Sequence, residues 1–178
     1  MKELSLHILD IAQNSIVANA TQIGIKVNED GAKNTLTIVL EDNGVGMSPE
    51  VLKKVIDPFT TSRTTRRVGM GLPLLNDACR QTGGALLVES TQGKGTKVTA
   101  TLGLKHIDRQ PMGDIAGVIV LLVSANTQIN FTYQHTRNGK FYIFSSEEVK
   151  EVLGEIPLNS PDVIRLMREL IQSNLDEL

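Results

Sequence analysis

The sequence predicts an α+β fold with one full domain and a small appendage. The chain has 178 residues, which is enough for one domain of ordinary size plus an extension but too few for two. Hydrophobic residues make up 40% of the chain, so a packed core can form. In some segments the apolar residues recur at helical spacing, and in others every second residue is apolar. These two patterns indicate a mixture of helices and strands.

The first 105 residues contain three predicted helices and four predicted strands. Ser5 is the expected N-cap of the first helix, and Pro73 fits the third helix only if it lies in the first turn. A loop rich in Thr, Ser and Arg is expected at residues 60–68. The helices are predicted at residues 5–19, 48–56 and 70–82, and the strands at residues 21–28, 35–41, 85–90 and 96–104.

Residues 106–178 follow a different pattern and are predicted to form a small α+β extension. Residues 114–125 are apolar on all sides, which favours a buried helix, although a strand fits the same pattern. Asn138 and Gly139 form a strong hairpin signal. The remaining predicted elements are strands at residues 129–134 and 140–144, a helix at residues 145–153 and a final helix opened by Pro161. We expect this extension to cover the sheet, form a dimer or dock a partner.

Composition and charge exclude several classes of protein. Eighteen basic and 20 acidic residues give a net charge of -2, which is not the footprint of a nucleic-acid or anionic-membrane binder. The longest apolar run, at residues 115–123, is too short to span a bilayer, and the N-terminus lacks a signal-peptide pattern. Cys79 is the only cysteine, so it cannot form an intramolecular disulfide, and we expect it to pack in the core. We therefore expect a cytoplasmic protein that binds neither nucleic acid nor membrane.

Polar residues share one face of the first predicted helix. His7, Asp10 and Asn14 are spaced by three and four residues, which places them on the same side. Asp and Asn are costly on a buried face unless they have partners. Taken alone, this pattern favours a solvated stripe on a surface helix over a functional site.

Three further segments combine glycine with polar residues where the chain turns. Asp42 lies at the end of a predicted strand, where its carboxylate can accept a hydrogen bond from an exocyclic amine such as N6 of adenine. Gly44 and Gly46 follow it and allow the backbone to approach a flat ligand. The segment VGMGL at residues 68–72 opens a helix and can direct N–H groups at phosphate oxygens, while GKGTK at residues 93–97 is a turn. Each segment alone is also explained by an ordinary turn.

The order and spacing of these segments carry more information than each does alone. The chain contains, in this order, ILDIAQNSIVANATQIGIKV, EDNGVGM, DPFTTS, VGMGL and GKGTKVTATL. This series resembles the N box, first glycine box, Phe box, second glycine box and closing Gly-x-Gly-Thr motif of the GHKL superfamily. That superfamily shares an ATP-binding domain among gyrase-type topoisomerases, heat-shock chaperones, histidine kinases and mismatch-repair ATPases. Over residues 1–105, the resemblance implies a two-layer α/β sandwich of the Bergerat type, with a mixed sheet, three helices and a lid at residues 47–68.

The resemblance also implies roles for individual residues. Asn14 would coordinate a Mg²⁺ ion that bridges the phosphates of ATP. Asp42 would read the adenine amino group, assisted by a water and by Thr96. Asp10 stands where hydrolytic members carry a catalytic Glu. The residues expected to line the pocket or contact the phosphates are Gly44, Gly46, Met47, Arg66, Gly69, Met70, Gly71 and Leu72. The implied cofactors are ATP and Mg²⁺.

The residue at position 10 separates the possible functions. Asp10 keeps a carboxylate but is one methylene shorter than Glu, which predicts slow turnover. Typical histidine kinases carry Asn there and place a phosphoacceptor His on a hairpin ahead of the N box. Since the N box here begins by His7, we do not expect a self-contained histidine kinase. Three functions stay open: a regulatory ATPase whose lid couples to a protein partner, a serine/threonine kinase of the anti-sigma type, and a non-enzymatic nucleotide sensor.

The resemblance suggests candidate partners besides ATP and ADP. Stand-alone domains of this kind are encoded beside redox-enzyme subunits, so a redox-enzyme complex is one candidate. A homodimer is another.

Overall fold

A six-stranded mixed sheet forms the centre of the structure, a computed structural model that describes residues 2–56 and 71–178. The strands are β1 (Gln22–Asp30), β2 (Thr35–Asp42), β3 (Ala85–Thr91), β4 (Gly95–Gly103), β5 (Asn130–Arg137) and β6 (Lys140–Ser145). The helices are α1 (Leu4–Val17), α2 (Pro49–Ile56), α3 (Gly71–Gln81), α4 (Ile115–Ala125), α5 (Ser146–Leu153) and α6 (Pro161–Asp176). The predicted α+β class is confirmed.

The strands are arranged in the order β3-β4-β2-β1-β5-β6. Strands β1 and β5 are parallel, and every other neighbouring pair is antiparallel. The parallel register runs from Gln22 opposite Asn130 to Glu29 opposite Arg137. Residues beyond 105 therefore extend the sheet that the first half of the chain begins. The division of the chain at residue 105 stays a prediction.

The helices form a layer on one face of the sheet. Side chains alternate between the two faces of a strand, and in β1 the buried set is Ile23, Ile25 and Val27, whereas Lys26 is exposed on the other face. In the helical layer, α1 contacts both α3 and α4, and α4 contacts α6. The core lies between this layer and the sheet, which confirms the predicted two-layer sandwich.

Helix α1 begins one residue before its expected cap. The prediction that Ser5 is the N-cap is wrong, because Glu3 occupies that position and Ser5 is buried in the first turn. The N–H groups of Leu4 and Ser5 instead donate to the carbonyl oxygens of Pro111 and Met112, at 2.9 and 2.8 Å. The connector that follows β4 thus satisfies the free donors of this helix end.

Several local predictions are confirmed. Asn138 and Gly139 both adopt positive φ, 50° and 87°, in the turn between β5 and β6. The hydroxyl of Ser145 accepts a hydrogen bond from an N–H in the first turn of α5, at 3.4 Å. Pro73 lies in the first turn of α3, and the apolar segment Ile115–Ala125 is a largely buried helix rather than a strand.

Candidate functional site

A cavity of about 280 Å³ opens where β2 ends and β4 begins, on the side of the sheet that faces the helices. Its walls are mostly apolar, and its polar groups come from Asn14, Ser15, Asp42 and Thr96. The lining residues are Ile11, Asn14, Ser15, Val17, Ala18, Leu40, Asp42, Val45, Gly46, Met47, Val55, Leu72, Thr96 and Val98. An apolar cavity with a few converging polar groups is typical of a small-molecule site.

Two hydrogen bonds hold the carboxylate of Asp42 at the cavity wall. The hydroxyl of Ser15 donates to Asp42 Oδ2 at 2.6 Å, and the backbone N–H of Gly44 donates to Oδ1 at 2.9 Å. Each carboxylate oxygen has a further lone pair, so Asp42 can still accept a hydrogen bond from a ligand. The orientation of this acceptor is therefore fixed before any ligand arrives.

The loop after β2 is tied to its neighbours through backbone groups. Val45 donates its N–H to the carbonyl oxygen of Ala18 at 2.9 Å, and Gly93 donates to the carbonyl of Val45 at 2.7 Å. Gly46 adopts φ of 67°, and a side chain there would collide with the backbone of Thr91. Glycine is therefore required at position 46, both for the backbone conformation and for this close approach.

The two glycines of this loop have different surroundings. Gly46 lines the cavity as expected. Gly44 does not, because it is buried against Ala18, whose carbonyl oxygen lies 2.7 Å from the position that a Cβ would take. The contribution of Gly44 is the N–H that it donates to Asp42.

A shared hydroxyl connects two further cavity residues. Ser90 Oγ accepts the N–H of Met47 at 2.8 Å and lies 2.8 Å from Thr96 Oγ1. Thr96 is paired with Asp42 across β4 and β2. The hydroxyl of Thr96 thus lies on the strand beside the fixed carboxylate.

Asn14 and Asp10 lie one helical turn apart on α1 and have different neighbours. Asn14 is half-buried and lines the cavity, and no hydrogen bond involves its side chain among the described residues. The Asp10 carboxylate packs against Gly71, the first residue of α3, so closely that a Cβ at position 71 would overlap it. Asp10 therefore lies at a helix N-terminus, where the free N–H groups and the helix dipole favour anions.

His7 is buried, so the polar face of α1 is not the solvated stripe that the spacing alone favours. Its Nε2 lies 2.9 Å from Oε1 of Gln110 in the connector after β4. Burial lowers the pKa of His7 below its usual value, and the hydrogen bond with Gln110 only partly opposes this effect. His7 is thus a neutral packing residue that joins α1 to the connector.

The structure brings together most of the residues that the sequence singles out. Asn14, Asp42, Gly46, Met47, Leu72 and Thr96 line one cavity, and Asp10 and Gly71 touch at its α3 side. Arg66, Gly69 and Met70 lie outside the described residues, as does most of the expected lid at residues 47–68.

Other cavity residues are not singled out by the sequence. Ser15 directly follows Asn14 in the first box, and this adjacency is the only signal that could have identified it. The apolar lining residues Leu40 and Val98 resemble any other core position of a strand, so no local signal distinguishes them.

Comparison with known proteins identifies the family. The model of the histidine kinase-, DNA gyrase B- and HSP90-like ATPases matches residues 2–106, which is more than half of the chain. The protein belongs to this ATPase family, and the GHKL resemblance is confirmed.

Sequence relatives agree with this assignment. Over 99 residues the chain is 30% identical to histidine protein kinase DivJ of Caulobacter vibrioides, a match that covers 53% of this chain and 17% of that protein. Over 97 residues it is 31% identical to sensor histidine kinase ZraS of Salmonella typhimurium, covering 53% of this chain and 20% of that protein. The chain thus spans a fifth or less of the length of these relatives.

Two solved structures share the fold over most of the chain. The N-terminal domain of a DNA repair protein superposes with a TM-score of 0.59 at 22% identity, covering 93% of this chain and 55% of that one. The Aquifex aeolicus MutL ATPase domain complexed with ADP superposes with a TM-score of 0.52 at 16% identity, covering 86% of this chain and 69% of that one. At these identities the likeness is one of fold.

The described residues form neither a membrane-spanning helix nor a cluster of metal-binding side chains. Each helix within residues 2–56 and 71–178 is too short or too polar to traverse a lipid bilayer. In the same part of the chain, no three His, Cys, Asp or Glu side chains converge as a metal-binding cluster.

Proposed function

We propose that this protein binds ATP with Mg²⁺ in the cavity beside Asp42, hydrolyses it slowly and signals the nucleotide state to a protein partner. The observation that carries the proposal is the fixed Asp42 carboxylate at the wall of an apolar cavity. Apolar side chains that could pack against a purine ring come from Leu40, Leu72 and Val98. Asp42 can accept a hydrogen bond from the amino group of that ring. Membership of an ATPase family supports the same ligand.

Asn14 fits the role of a magnesium ligand. Its side chain faces the cavity without a hydrogen-bond partner among the described residues, and an amide oxygen is a hard ligand of the kind that Mg²⁺ prefers. Mg²⁺ commonly takes only one or two protein ligands beside phosphate and water, so the site needs no cluster of acidic residues. When bound, the ion would neutralise charge on the phosphates.

Asp10 is the proposed general base. It lies one turn before Asn14 and beside the N-terminus of α3, where phosphate groups would be favoured. A carboxylate there can accept a proton from an attacking water. Because Asp is shorter than Glu, we expect it to be imperfectly positioned and turnover to be slow.

The coupling to a partner is proposed from the walls of the cavity. Met47 and Val55 lie at the start of the expected lid segment, and both line the cavity. A bound nucleotide would contact them directly, so its presence can influence the position of α2. The identity of the partner is left to experiment.

Replacing Asp10 tests the hydrolytic part of this proposal. We expect Asp10→Asn to lower ATP turnover at least about tenfold while ATP affinity is retained, because the amide cannot accept the proton. Asp77→Asn is the matched control, because it makes the same replacement at an exposed position of α3, and it should leave turnover unchanged. We expect Asp10→Glu to raise turnover. Equal turnover in Asp10→Asn and the parent protein would exclude the role of Asp10.

A further inference from the structure

Strand β6 forms one edge of the six-stranded sheet. It pairs with β5 on one side and has no strand on the other within residues 2–56 and 71–178. An edge strand presents a row of free N–H and C=O groups that can pair with another chain. On the face of the sheet away from the helices, Phe141 is 64% exposed and Ile143 is 49% exposed.

An apolar groove runs along the same strand on the helical side. It has a volume of about 320 Å³ and lies between β6, α5 and α6. The side chains of Val152 and Leu166 in this groove are 87% and 60% exposed. Both faces of the β6 edge therefore carry accessible apolar side chains, and large exposed apolar patches are typical of interaction sites.

The charge of this region indicates what it would bind. Residues 140–178 contain eight acidic and four basic residues. Two of the basic side chains are already paired, Arg165 with Asp162 at 3.0 Å and Arg168 with Asp114 at 2.8 Å. The Nζ atom of Lys150 lies 3.0 Å from Oδ1 of Asn130. Exposed carboxylates without such contacts among the described residues are those of Glu147, Glu148, Glu151, Glu155, Glu169 and Glu177.

This excess of negative charge argues against a second copy as the occupant. Two copies paired through β6 would bring two acidic α5 helices close to one interface, and like charges there repel. An apolar chain with basic residues at its ends could fill the groove with its centre and pair with the acidic side chains of this region through its ends.

We propose that an extended segment of another protein, apolar in its centre and flanked by Lys or Arg, pairs with β6 as a seventh strand. Its main chain supplies the hydrogen bonds of strand addition. Alternate side chains enter the groove beside Val152 and Leu166 or cover Phe141 and Ile143 on the other face. Strands β1 and β5 separate this edge from β2, so the site is distinct from the nucleotide cavity.

The test uses the nucleotide-free full chain and a fluorescent peptide, Lys-Lys-Val-Ile-Thr-Val-Ile-Lys-Lys, followed by anisotropy. Because no nucleotide is present, failure here is distinguishable from failure of the proposed ATP site. We expect saturable binding that weakens with salt. The same peptide N-methylated on its five central residues keeps the side chains but loses the N–H donors, and it should not bind.

Protein variants locate the site. We expect the double variant Val152→Gln and Leu166→Gln to weaken peptide binding about tenfold or more, because both exposed side chains would contact the peptide. Leu87→Gln is the matched control, since Leu87 is 56% exposed on the edge strand β3. Replacement of Glu148 and Glu151 by Gln should reduce both the affinity and its dependence on salt.

Three results would overturn the proposal. The first is no binding at about 1 mM peptide. The second is equal binding of the N-methylated peptide, which would show that strand pairing is not used. The third is sedimentation as a dimer that the Val152→Gln and Leu166→Gln double variant dissociates, which would identify a second copy as the occupant.

Discussion

Ser15 on α1 donates a 2.6 Å hydrogen bond to the carboxylate of Asp42, the last residue of β2. The bond joins the helix that carries Asn14 to the strand that carries the proposed adenine contact. Ser15 is itself buried. The bond therefore fixes the position of Asn14, the proposed metal ligand, relative to Asp42, the proposed adenine contact.

We predict that Ser15→Ala weakens ATP binding. A hydrogen bond to a charged group contributes about 1.5–3 kcal/mol, and part of that orients Asp42, so we expect the Kd for ATP to rise roughly 5- to 30-fold. Ser124→Ala is the control, because it removes a hydroxyl from α4 at a position that does not line the cavity. Calorimetric titration measures the effect, and an unchanged Kd in Ser15→Ala would show that Asp42 needs no such support.

Gly71→Ala should damage turnover without unfolding the protein. Its new Cβ would overlap the Asp10 carboxylate and displace it. A displacement of this kind typically costs about 10- to 100-fold in rate, while Ala at a helix start does not weaken the helix. Turnover and thermal unfolding are measured together. Gly24→Ala is the control, because the nearest atom to its Cβ lies 4.0 Å away. Normal turnover in Gly71→Ala would contradict the placement of Asp10 at the reacting site.

A partly buried cluster at the far end of β1 and β5 predicts acid sensitivity. Glu29 Oε1 lies 2.6 Å from Nε2 of His135, whose Nδ1 lies 2.7 Å from the hydroxyl of Tyr133, and Arg137 donates to the same carboxylate at 3.0 Å. The hydrogen bond from His135 lowers the pKa of Glu29 from 4.5 to about 2. Burial of the carboxyl group opposes this shift, and Arg137 adds to it. This carboxylate therefore stabilises the fold above its unfolded pKa.

We predict that the stability contributed by Glu29 is lost as the pH falls from about 5 to about 2. The shift corresponds to roughly 3 kcal/mol at neutral pH. Glu29→Gln should lower the free energy of unfolding at pH 7 by about this amount. The free energy of unfolding of this variant should also decrease less as the pH falls. Urea unfolding over this pH range measures both, with the exposed Glu169→Gln as control. A decline as steep in Glu29→Gln as in the parent protein would refute the prediction.

Local sequence signals predicted most elements of the fold. The alternation of Ile23, Ile25 and Val27 marks β1 because one face of that strand is buried. Asn138-Gly139 marks a hairpin because both residues adopt positive φ readily. Signals of this kind lie within a few residues of the structure that they determine.

Features that depend on distant contacts were not predictable in the same way. Ser5 is the best capping residue nearby, yet the carbonyl groups of Pro111 and Met112 satisfy the helix end instead. The parallel pairing of β5 with β1 joins residues about 100 positions apart, and nothing local to either strand specifies it. The order of the motifs singled out Asp42 and Asn14 as candidates, but the hydrogen bond from Ser15 to Asp42 could be seen only in the folded chain.

Calorimetric titration of the protein with ATP, with and without Mg²⁺, tests the central claim most directly. The parent protein, Asn14→Ala and Asp42→Ala are compared, with Asp162→Ala on the surface of α6 as control and circular dichroism to verify folding. The account predicts binding that Mg²⁺ strengthens in the parent protein, loss of the Mg²⁺ effect in Asn14→Ala and loss of binding in Asp42→Ala. Binding of ATP by a folded Asp42→Ala variant with unchanged affinity would contradict the proposed site.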